Sequence, residues 1–216
     1  AFVSIASFIK PNDLIILEST SPVGTTEKMK KILVDHGANL TDVHIAYCPE
    51  RVLPGHVVRE LVENDRIIGG ISTKCAEQAK KLYKIFVKGD CLVTDCRTAE
   101  LSKLVENSFR DVNIAFANEL SLICDKLGIN VWEMIKLANR HPRVNILQPG
   151  PGVGGHCIAV DPWFIVNSAP NQAKLIRTAR LVNDSKPNLI YKKINQALNK
   201  INKDKIQNCY KDFKFS

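Results

Sequence analysis

A glycine-rich segment surrounds a cysteine at residues 150–162 (GPGVGGHCIAVDP) and is the part of the chain best suited to chemistry. Glycines let a backbone approach a ligand closely and adopt angles that a side chain forbids. A thiol held in such a loop is accessible, and an accessible thiolate can act as a nucleophile. Cys157 is therefore a candidate nucleophile. An isolated Gly-Gly-X-Cys is more often a loop around a core cysteine, so this pattern alone does not decide between a nucleophilic and a structural role for Cys157.

Three polar residues further upstream, Lys103, Asn107 and Arg110, are spaced four and three residues apart. In a helix this spacing places all three on one face. The apolar residues of the same segment repeat on a different face, so the polar residues could line a cleft. The alternative is an ordinary solvated helix surface, since charged residues are mostly exposed.

Two further polar groups follow segments that read as buried strands. Thr20 comes after the strand at residues 14–17, and Glu50 and Arg51 come after the strand at residues 43–47. Ligands of open α/β sheets gather at the carboxyl ends of strands. Thr20 could therefore touch a cofactor or cap a helix. Glu50 could activate a water and Arg51 could bind a phosphate, and an exposed Glu–Arg surface pair is the alternative.

Longer stretches of sequence carry a family resemblance. The segments GPGVGGHCIAVDPWF and TAELSKLVENSFRDVN resemble the UDP-glucose/GDP-mannose dehydrogenase family, and roughly residues 1–202 take part. Within the family, the residues of both segments are most similar to those of members that act on UDP-N-acetylmannosamine. The resemblance implies an enzyme that uses NAD to oxidise the C6 alcohol of a UDP-sugar to a carboxylate. The intermediates would be a thiohemiacetal and a thioester on the cysteine.

The resemblance also implies a role for each candidate residue. Cys157 would be the nucleophile, Lys103 and Asn107 would stabilise the oxyanion, and Asp161 would help to position Lys103 and water. Glu50 or Asp161 would activate the water that releases the acid. Thr20 would lie beside the nicotinamide end of NAD, and no metal is expected. The implied substrate-binding residues are Arg51, Val52, Arg110, His141, Arg143 and Gly154.

The elements that would position these residues fall into two patterns. Residues 1–96 alternate strands with helices, which is typical of a mostly parallel sheet covered on both faces. Predicted strands lie at residues 14–17, 43–47, 66–68 and 91–93, with helices from Thr25 or Thr26 to about Val34 and over residues 74–86. We interpret this α/β part as the C-terminal part of a Rossmann-like NAD-binding domain. No G-x-G-x-x-G follows an early strand, where this fingerprint would bind the phosphates of a dinucleotide.

From Thr98 onward the pattern is helical. We predict a long helix over residues 98–127 that ends at Gly128, a helix over 131–139, a loop over 141–161, and helices over 171–185 and 187–202 with Pro187 in a first turn. Residues 97–202 would form an all-α central catalytic and dimerisation domain. Residues 203–216 depart from the family as an atypical tail, and with the start at Ala1 they suggest a fragment or a truncation.

Composition narrows the class of protein. Residues 186–216 contain eight lysines and two aspartates, so they supply +6 of the formal net charge of +8. This basic end lacks the arginines and interleaved aromatics typical of nucleic-acid binding. The seven cysteines have no C-x-x-C pair or zinc-site spacing, and scattered thiols favour a reducing cytoplasm. No segment is apolar enough to cross a membrane. We expect a cytoplasmic homodimer without nucleic-acid or membrane partners.

Three functions remain open from sequence. The first is a nucleotide-sugar dehydrogenase, acting on UDP-N-acetylmannosamine or on another nucleotide sugar such as UDP-N-acetylglucosamine. The second is a catalytically inactive remnant that serves only as a dimerising module, which the missing fingerprint favours. The third is an NAD enzyme of the hydroxyacid class. Such enzymes do not need a cysteine, so the segment around Cys157 argues against the third.

Overall fold

The computed structural model describes residues 1–52 and 55–212, with side chains described as far as Ile201. The chain divides into two compact units. The first contains residues 1–109 and 160–174, and the second contains residues 110–159 and 175–216. Within the described residues, no helix is both long and apolar enough to span a bilayer. Residues 213–216, the end of the predicted atypical tail, lie outside the described residues.

The first unit is built on a four-stranded sheet in the order β1-β2-β3-β4. β1 pairs with β2 and β3 pairs with β4 in parallel, whereas β2 and β3 are antiparallel, with Ala46 opposite Gly70. The predicted mostly parallel sheet is confirmed. The antiparallel pair was not foreseen, because hydrophobic runs carry no information about strand direction. The strands are β1 (Leu14–Leu17), β2 (His44–Tyr47), β3 (Arg66–Gly70) and β4 (Cys91–Asp95).

Helices cover both faces of this sheet. Neighbouring residues of a strand point to opposite faces, so Ile45 packs with Leu33 of one helix while Ala46 packs with Ala79 of another. Gly70 allows the close approach on the second side, because a Cβ there would lie 2.3 Å from the Ser72 carbonyl oxygen. The helices of this region are α1 (Phe2–Ile5), α2 (Thr25–Asp35), α3 (Val57–Glu63) and α4 (Thr73–Tyr83).

The predicted long helix is confirmed as α5 (Cys96–Leu127), which has 32 residues. It ends as expected at Gly128, which has a φ of +68°, and Ile129 N–H donates to the Cys124 carbonyl at 2.8 Å. A short helix α6 (Val131–Ala138) follows. Asn130 begins it by accepting hydrogen bonds from the backbone N–H groups of residues 132 and 133.

The last part of the chain differs from the prediction. Residues 141–160 are irregular, as expected, but Asp161 begins an unpredicted helix α7 (Asp161–Ser168). The two predicted helices, 171–185 and 187–202, are in fact one, α8 (Lys174–Asp212), with Pro187 inside it and not at a helix start. The pyrrolidine ring packs against Gly152, where a Cβ would lie 2.9 Å from Pro187 Cγ. Gly152 thus leaves room for the proline ring.

Candidate functional site

The clearest polar contact in the first unit joins α5 to α7. Asn107 Nδ2 donates a hydrogen bond of 2.6 Å to Asp161 Oδ2. Both side chains are buried, with exposed fractions of 7% and 3%. Asp161 is held at this point because it is the first residue of α7, a helix start reinforced by Pro162. The structure thus brings together two predicted site residues that lie 54 positions apart.

Lys103 lies one turn before Asn107 on α5 and is half-buried. Burial raises the pKa of the Asp161 carboxyl, while the Asn107 hydrogen bond and the Lys103 charge oppose that rise. Within the described residues no carboxylate comes within ion-pair distance of Lys103. The group therefore offers a cation, an amide and a titratable carboxyl. It can hold a ligand oxygen and exchange a proton with it.

Tyr47, at the end of β2, is a member of this neighbourhood that the sequence analysis missed. Its side chain is fully buried. Burial raises its pKa, and the charges of Glu100 and Asp161 raise it further. The hydroxyl makes no well-aligned hydrogen bond within the described part of the chain, although the Ser21 backbone lies close enough to lower the pKa slightly. A neutral phenol thus lies near Asp161.

Glu50 and Arg51 do not form the exposed surface pair considered from sequence. Both Glu50 carboxylate oxygens lie 3.4 Å from Arg66 Nη1, and Arg66 is only 2% exposed. Arg51 instead forms an ion pair of 2.7 Å with Glu106 of α5. Its backbone N–H donates to Glu50 Oε1 at 2.7 Å. A buried arginine thus fixes Glu50, and α5 fixes the Arg51 guanidinium. Val52 is half-buried beside them.

Arg66 was also missed by sequence analysis. The antiparallel register places it beside the residues that follow β2. Its guanidinium lies 5.6 Å from the centre of the Tyr83 ring, and the Tyr83 hydroxyl donates to Glu18 at 2.5 Å. Burial raises the pKa of the neighbouring Cys48 thiol to about 11. Cys48 is therefore a packed, unreactive thiol.

α2 begins at Thr25, as predicted. The N-cap is Gly24, with a φ of +90° and no side-chain cap. Glu100 of α5 supplies the missing acceptor, taking hydrogen bonds from Gly24 N at 2.6 Å and from Thr26 N at 2.7 Å. The carboxylate occupies the position where a phosphate would bind a helix N-terminus. Thr20 is half-buried in the connection between β1 and α2.

Cys157 belongs to the second unit and is exposed. The other described cysteines are all buried, and Cys209 lies beyond the described side chains. Gly154 and Gly155 of the same loop have open space around them, so the backbone here is accessible to a ligand. Gly155 has a φ of +86°, a conformation that glycine adopts at little cost. The exposed thiol fits the residue type predicted for the nucleophile.

A chain of buried hydrogen bonds anchors the start of this loop. Asn118 Oδ1 accepts from the Gly150 N–H at 2.8 Å, and its Nδ2 donates to Asn183 Oδ1 at 2.8 Å. Asn183 in turn donates to Asp111 Oδ1 at 2.8 Å. Because a carboxylate only accepts, Asp111 fixes the orientation of both amides and so points an acceptor at Gly150. Arg180 completes the network with an ion pair of 2.6 Å to Asp111.

The remaining predicted substrate-binding residues also lie in the second unit. His141 and Arg143 are exposed, and the Arg143 N–H donates to His141 Nδ1 at 3.3 Å. Asn139 holds this stretch through two hydrogen bonds to the backbone of Ile146, at 2.8 and 2.9 Å. Arg110 is exposed and takes no part in the Asn107–Asp161 contact. The described side chains contain no group of acidic, cysteine or histidine residues that could hold a metal ion.

Comparison with known proteins shows the class to which this fold and these residues belong. Residues 1–87 match the NAD binding domain of the UDP-glucose/GDP-mannose dehydrogenase family, and residues 97–185 match its central domain. The chain belongs to the UDP-glucose/GDP-mannose dehydrogenase family. The expected family is therefore confirmed, and the expected cofactor agrees with the description of the first domain.

Individual members of the family are highly similar to this chain. The chain is 66% identical over 207 residues to the UDP-N-acetyl-D-mannosamine dehydrogenase of Campylobacter jejuni, covering 92% of this chain and 51% of the relative. It is 61% identical to the NDP-N-acetyl-D-galactosaminuronic acid dehydrogenase of Ralstonia nicotianae, covering 96% and 51%. Among solved structures, UDP-D-ManNAc dehydrogenase from Pyrococcus horikoshii superposes with a TM-score of 0.85 at 48% identity, covering 93% and 49%. The chain spans about half the length of the relatives it matches.

Proposed function

We propose that this chain is part of an NAD-dependent dehydrogenase that oxidises the C6 alcohol of UDP-N-acetylmannosamine to the carboxylate. The observation that carries the proposal is the contact between Asn107 and the buried Asp161, with Lys103 one turn away. The exposed Cys157 supplies the thiol that a two-stage oxidation through a covalent intermediate requires. The two relatives named for UDP-N-acetylmannosamine or its ManNAc abbreviation support the choice of sugar.

We assign each of these residues a separate role in the reaction. Asp161 takes the proton of the substrate hydroxyl, and the Lys103 ammonium and Asn107 hold the resulting oxygen, since such preorganised donors stabilise developing negative charge. Cys157 attacks the aldehyde to form a thiohemiacetal, and its oxidation gives a thioester. Glu50 or Asp161 activates the water that hydrolyses the thioester. Arg51, Arg110 and Arg143 are the cations for the two phosphates of the UDP group.

The residues present fit NAD over part of its length. Bound NAD would accept the hydride in each oxidation. The N-terminus of α2 is occupied by the Glu100 carboxylate, so its Gly24 and Thr26 amides are not free for the pyrophosphate. Thr20, directly after β1, remains the residue that we assign to the nicotinamide end. Val52, His141 and Gly154 are assigned to the substrate.

An assay with NAD and UDP-N-acetylmannosamine tests the proposal. A dehydrogenase of this type forms two NADH and one carboxylate for each sugar, which absorbance and mass spectrometry measure. The 216-residue chain alone is expected to bind NAD far more weakly than a typical dehydrogenase, and not to turn over. Micromolar NAD affinity and turnover by the chain alone would contradict that expectation. Failure of every longer polypeptide that contains the chain would favour the inactive dimerising module.

A second sugar is a specific alternative. The relative from Ralstonia nicotianae is named for N-acetyl-D-galactosaminuronic acid, and it is nearly as similar to this chain as the relative from Campylobacter jejuni. The same assay with UDP-N-acetylgalactosamine and UDP-N-acetylglucosamine separates these substrates. A higher kcat/KM for either one than for UDP-N-acetylmannosamine would replace the proposed sugar while leaving the chemistry unchanged.

We further propose a homodimer in which α5 lies at the interface. In the second unit, α5 exposes Phe116, Ile123 and Leu127 to solvent, with exposed fractions of 52%, 46% and 63%. These residues are seven and four positions apart and share one helix face. Sedimentation at micromolar concentration should give a dimer, which Phe116→Glu and Ile123→Glu should dissociate. A monomeric parent chain would refute the arrangement.

A further inference from the structure

A cavity of about 470 Å³ lies in the second unit and has no place in the proposed chemistry. Its walls come from the C-terminal half of α5, from α6, from α8 and from residues 149–151. None of the residues assigned above to catalysis or to substrate binding lines it. The volume falls within the range of small-molecule sites, which is roughly 300–1,000 Å³.

The lining of this cavity includes a buried lysine, Lys186. Its side chain is 4% exposed, and its Nζ donates to Ser121 Oγ at 2.6 Å. Within the described part of the chain, no carboxylate lies within ion-pair distance of this ammonium group. An ammonium carries three N–H donors, and a buried charge without a counter-charge is costly. Burial lowers the pKa of Lys186, and Lys193 adds to that effect while Asp125 opposes it.

The other charges of the lining nearly cancel. Lys193 forms an ion pair of 2.5 Å with Asp125, so the cavity retains one positive charge that no protein carboxylate balances. The remaining walls are largely apolar, and Trp132, a residue that is 55% exposed, contributes a flat ring. The other apolar side chains of the lining are Leu122, Ile129, Val131, Pro149, Pro151, Leu189 and Ile190. A cation thus lies beside a surface suited to a planar apolar group.

We propose that this cavity binds a small ligand with one anionic group, a carboxylate or a phosphate, attached to a flat apolar body. The anionic group neutralises Lys186, and the apolar body packs against Trp132. A wholly apolar occupant, such as a hydrophobic face of another chain, would leave the Lys186 charge unbalanced. The inference does not depend on the proposed dehydrogenase activity, because none of its residues take part in that chemistry.

Fluorescence of Trp132 provides a direct readout. The chain has two tryptophans, so Trp163→Phe leaves Trp132 as the sole tryptophan. Titration of this parent protein with benzoate and with phenyl phosphate should give a saturable change in emission. Benzyl alcohol, which lacks the charge, should bind at least about tenfold more weakly. The stronger of the two anions identifies the preferred charged group.

Matched variants locate the site. Lys186→Met should weaken binding of the anions about tenfold or more, because it removes the balancing charge with little change in shape. Lys192→Met is the control, since Lys192 is exposed on the same helix and does not line the cavity. Lys193→Met, a half-exposed position that should fold normally, should also weaken binding because it leaves Asp125 unpaired. Circular dichroism checks that each variant is folded.

Three outcomes would overturn the proposal. The first is that no probe changes Trp132 emission saturably. The second is that benzyl alcohol binds as well as the anions. The third is that folded Lys186→Met, or Lys193→Met if the first variant does not fold, binds like the parent protein. Loss of dehydrogenase activity in any variant has no bearing on these outcomes, so the two proposals fail separately.

Discussion

Two buried aspartates, Asp161 in the first unit and Asp111 in the second, are held in different ways. Asp111 accepts from the Arg180 guanidinium at 2.6 Å and from Asn183 at 2.8 Å, and Arg180 also pairs with Asp184. Asp161 accepts one side-chain hydrogen bond, from Asn107, and its nearby cation Lys103 makes no ion pair within the described residues. The Arg180 guanidinium is thus paired with two carboxylates, although Asp111 Oδ2 and Arg180 Nε have no hydrogen-bond partner among the described residues. The Asp161 group is open by comparison, because its ammonium is left for a ligand.

This difference indicates that the Asp111 network has a structural role, whereas the Asp161 group is suited to binding a ligand. Burial raises the pKa of both carboxyls, so burial alone does not mark a functional site. The partners distinguish them. The Asp111 network links α5 to α8 and accepts a hydrogen bond from the Gly150 N–H through Asn118 Oδ1, and it thereby fixes the start of the loop that carries Cys157. The Asp161 group leaves a half-buried ammonium unpaired, which is a cost that a bound oxygen would offset.

Replacing the nucleophile should have the largest effect. In the active enzyme, Cys157→Ser should lower carboxylate formation by more than about 1000-fold, because the weaker nucleophile cannot carry the covalent stage. Substrate affinity, measured by calorimetry, should stay near that of the parent. Cys124→Ala is the matched control, since this buried thiol lies in the same unit and should affect only stability. Ordinary turnover by the serine variant would refute the assignment of Cys157.

Breaking the Asp111–Arg180 ion pair should have the next largest effect, on folding rather than on chemistry. Arg180→Met leaves the fully buried Asp111 without its cation, and such a loss typically costs about 3–5 kcal/mol of unfolding free energy. Denaturant titration measures it. Arg177→Ala, at an exposed position on the same helix, should change the unfolding free energy by less than about 0.5 kcal/mol. Equal effects of the two changes would mean that the network is not a stabilising scaffold.

Substitutions near Asp161 should change the kinetic constants of the active enzyme. Lys103→Ala should lower kcat about 100-fold or more with a smaller change in KM, because it acts on charge that develops in the transition state. Arg110→Ala should mainly raise KM, since Arg110 is exposed and is assigned to ground-state binding of the sugar nucleotide. Small and equal effects of both changes would indicate that this part of α5 is only a solvated surface.

Local patterns predicted most of the fold. The four strands are short apolar runs bounded by turns, and α5 has a sustained helical repeat, so both are confirmed. The single helix α8 was not foreseen, because a proline was taken to begin a new helix, whereas Pro187 lies inside α8. The unpredicted helix α7 begins at Asp161, directly after the glycine-rich loop. The division into domains at residues 1–96 and 97–202 stays a prediction, as does the cytoplasmic location.

Site residues on one helix face could be predicted, whereas their partners could not. Helical spacing gave Lys103 and Asn107 a common face. Glu100 reaches Gly24 across 76 positions, and Arg66 reaches Glu50 through the unforeseen antiparallel pair. Such contacts depend on tertiary structure, and no periodicity in the sequence reports them. The chemical roles of Cys157, Lys103 and Glu50 derive from the family resemblance and remain proposals.

The smallest expected effect is on stability, and it depends on the ionisation of Asp161. The raised pKa of Asp161 means that folding favours its protonated form, so this residue favours folding most in acid. That contribution is lost as the pH rises from the ordinary aspartate pKa through the raised value in the fold. Asp161→Asn keeps an oxygen acceptor for Asn107 and removes the charge. At neutral pH the variant should be as stable as the parent or more stable, within about 1 kcal/mol.

Thermal unfolding as a function of pH provides the measurement. The difference in Tm between Asp161→Asn and the parent should shrink towards zero as the pH falls below the ordinary aspartate pKa, because both side chains are then neutral. Asp35→Asn, at an exposed position in the same unit, controls for a general change in net charge. A variant that loses stability at neutral pH but not in acid would show that Lys103 and Asn107 outweigh burial. Asp161 would then belong with Asp111 as scaffold, and the distinction between the two carboxylates would fail.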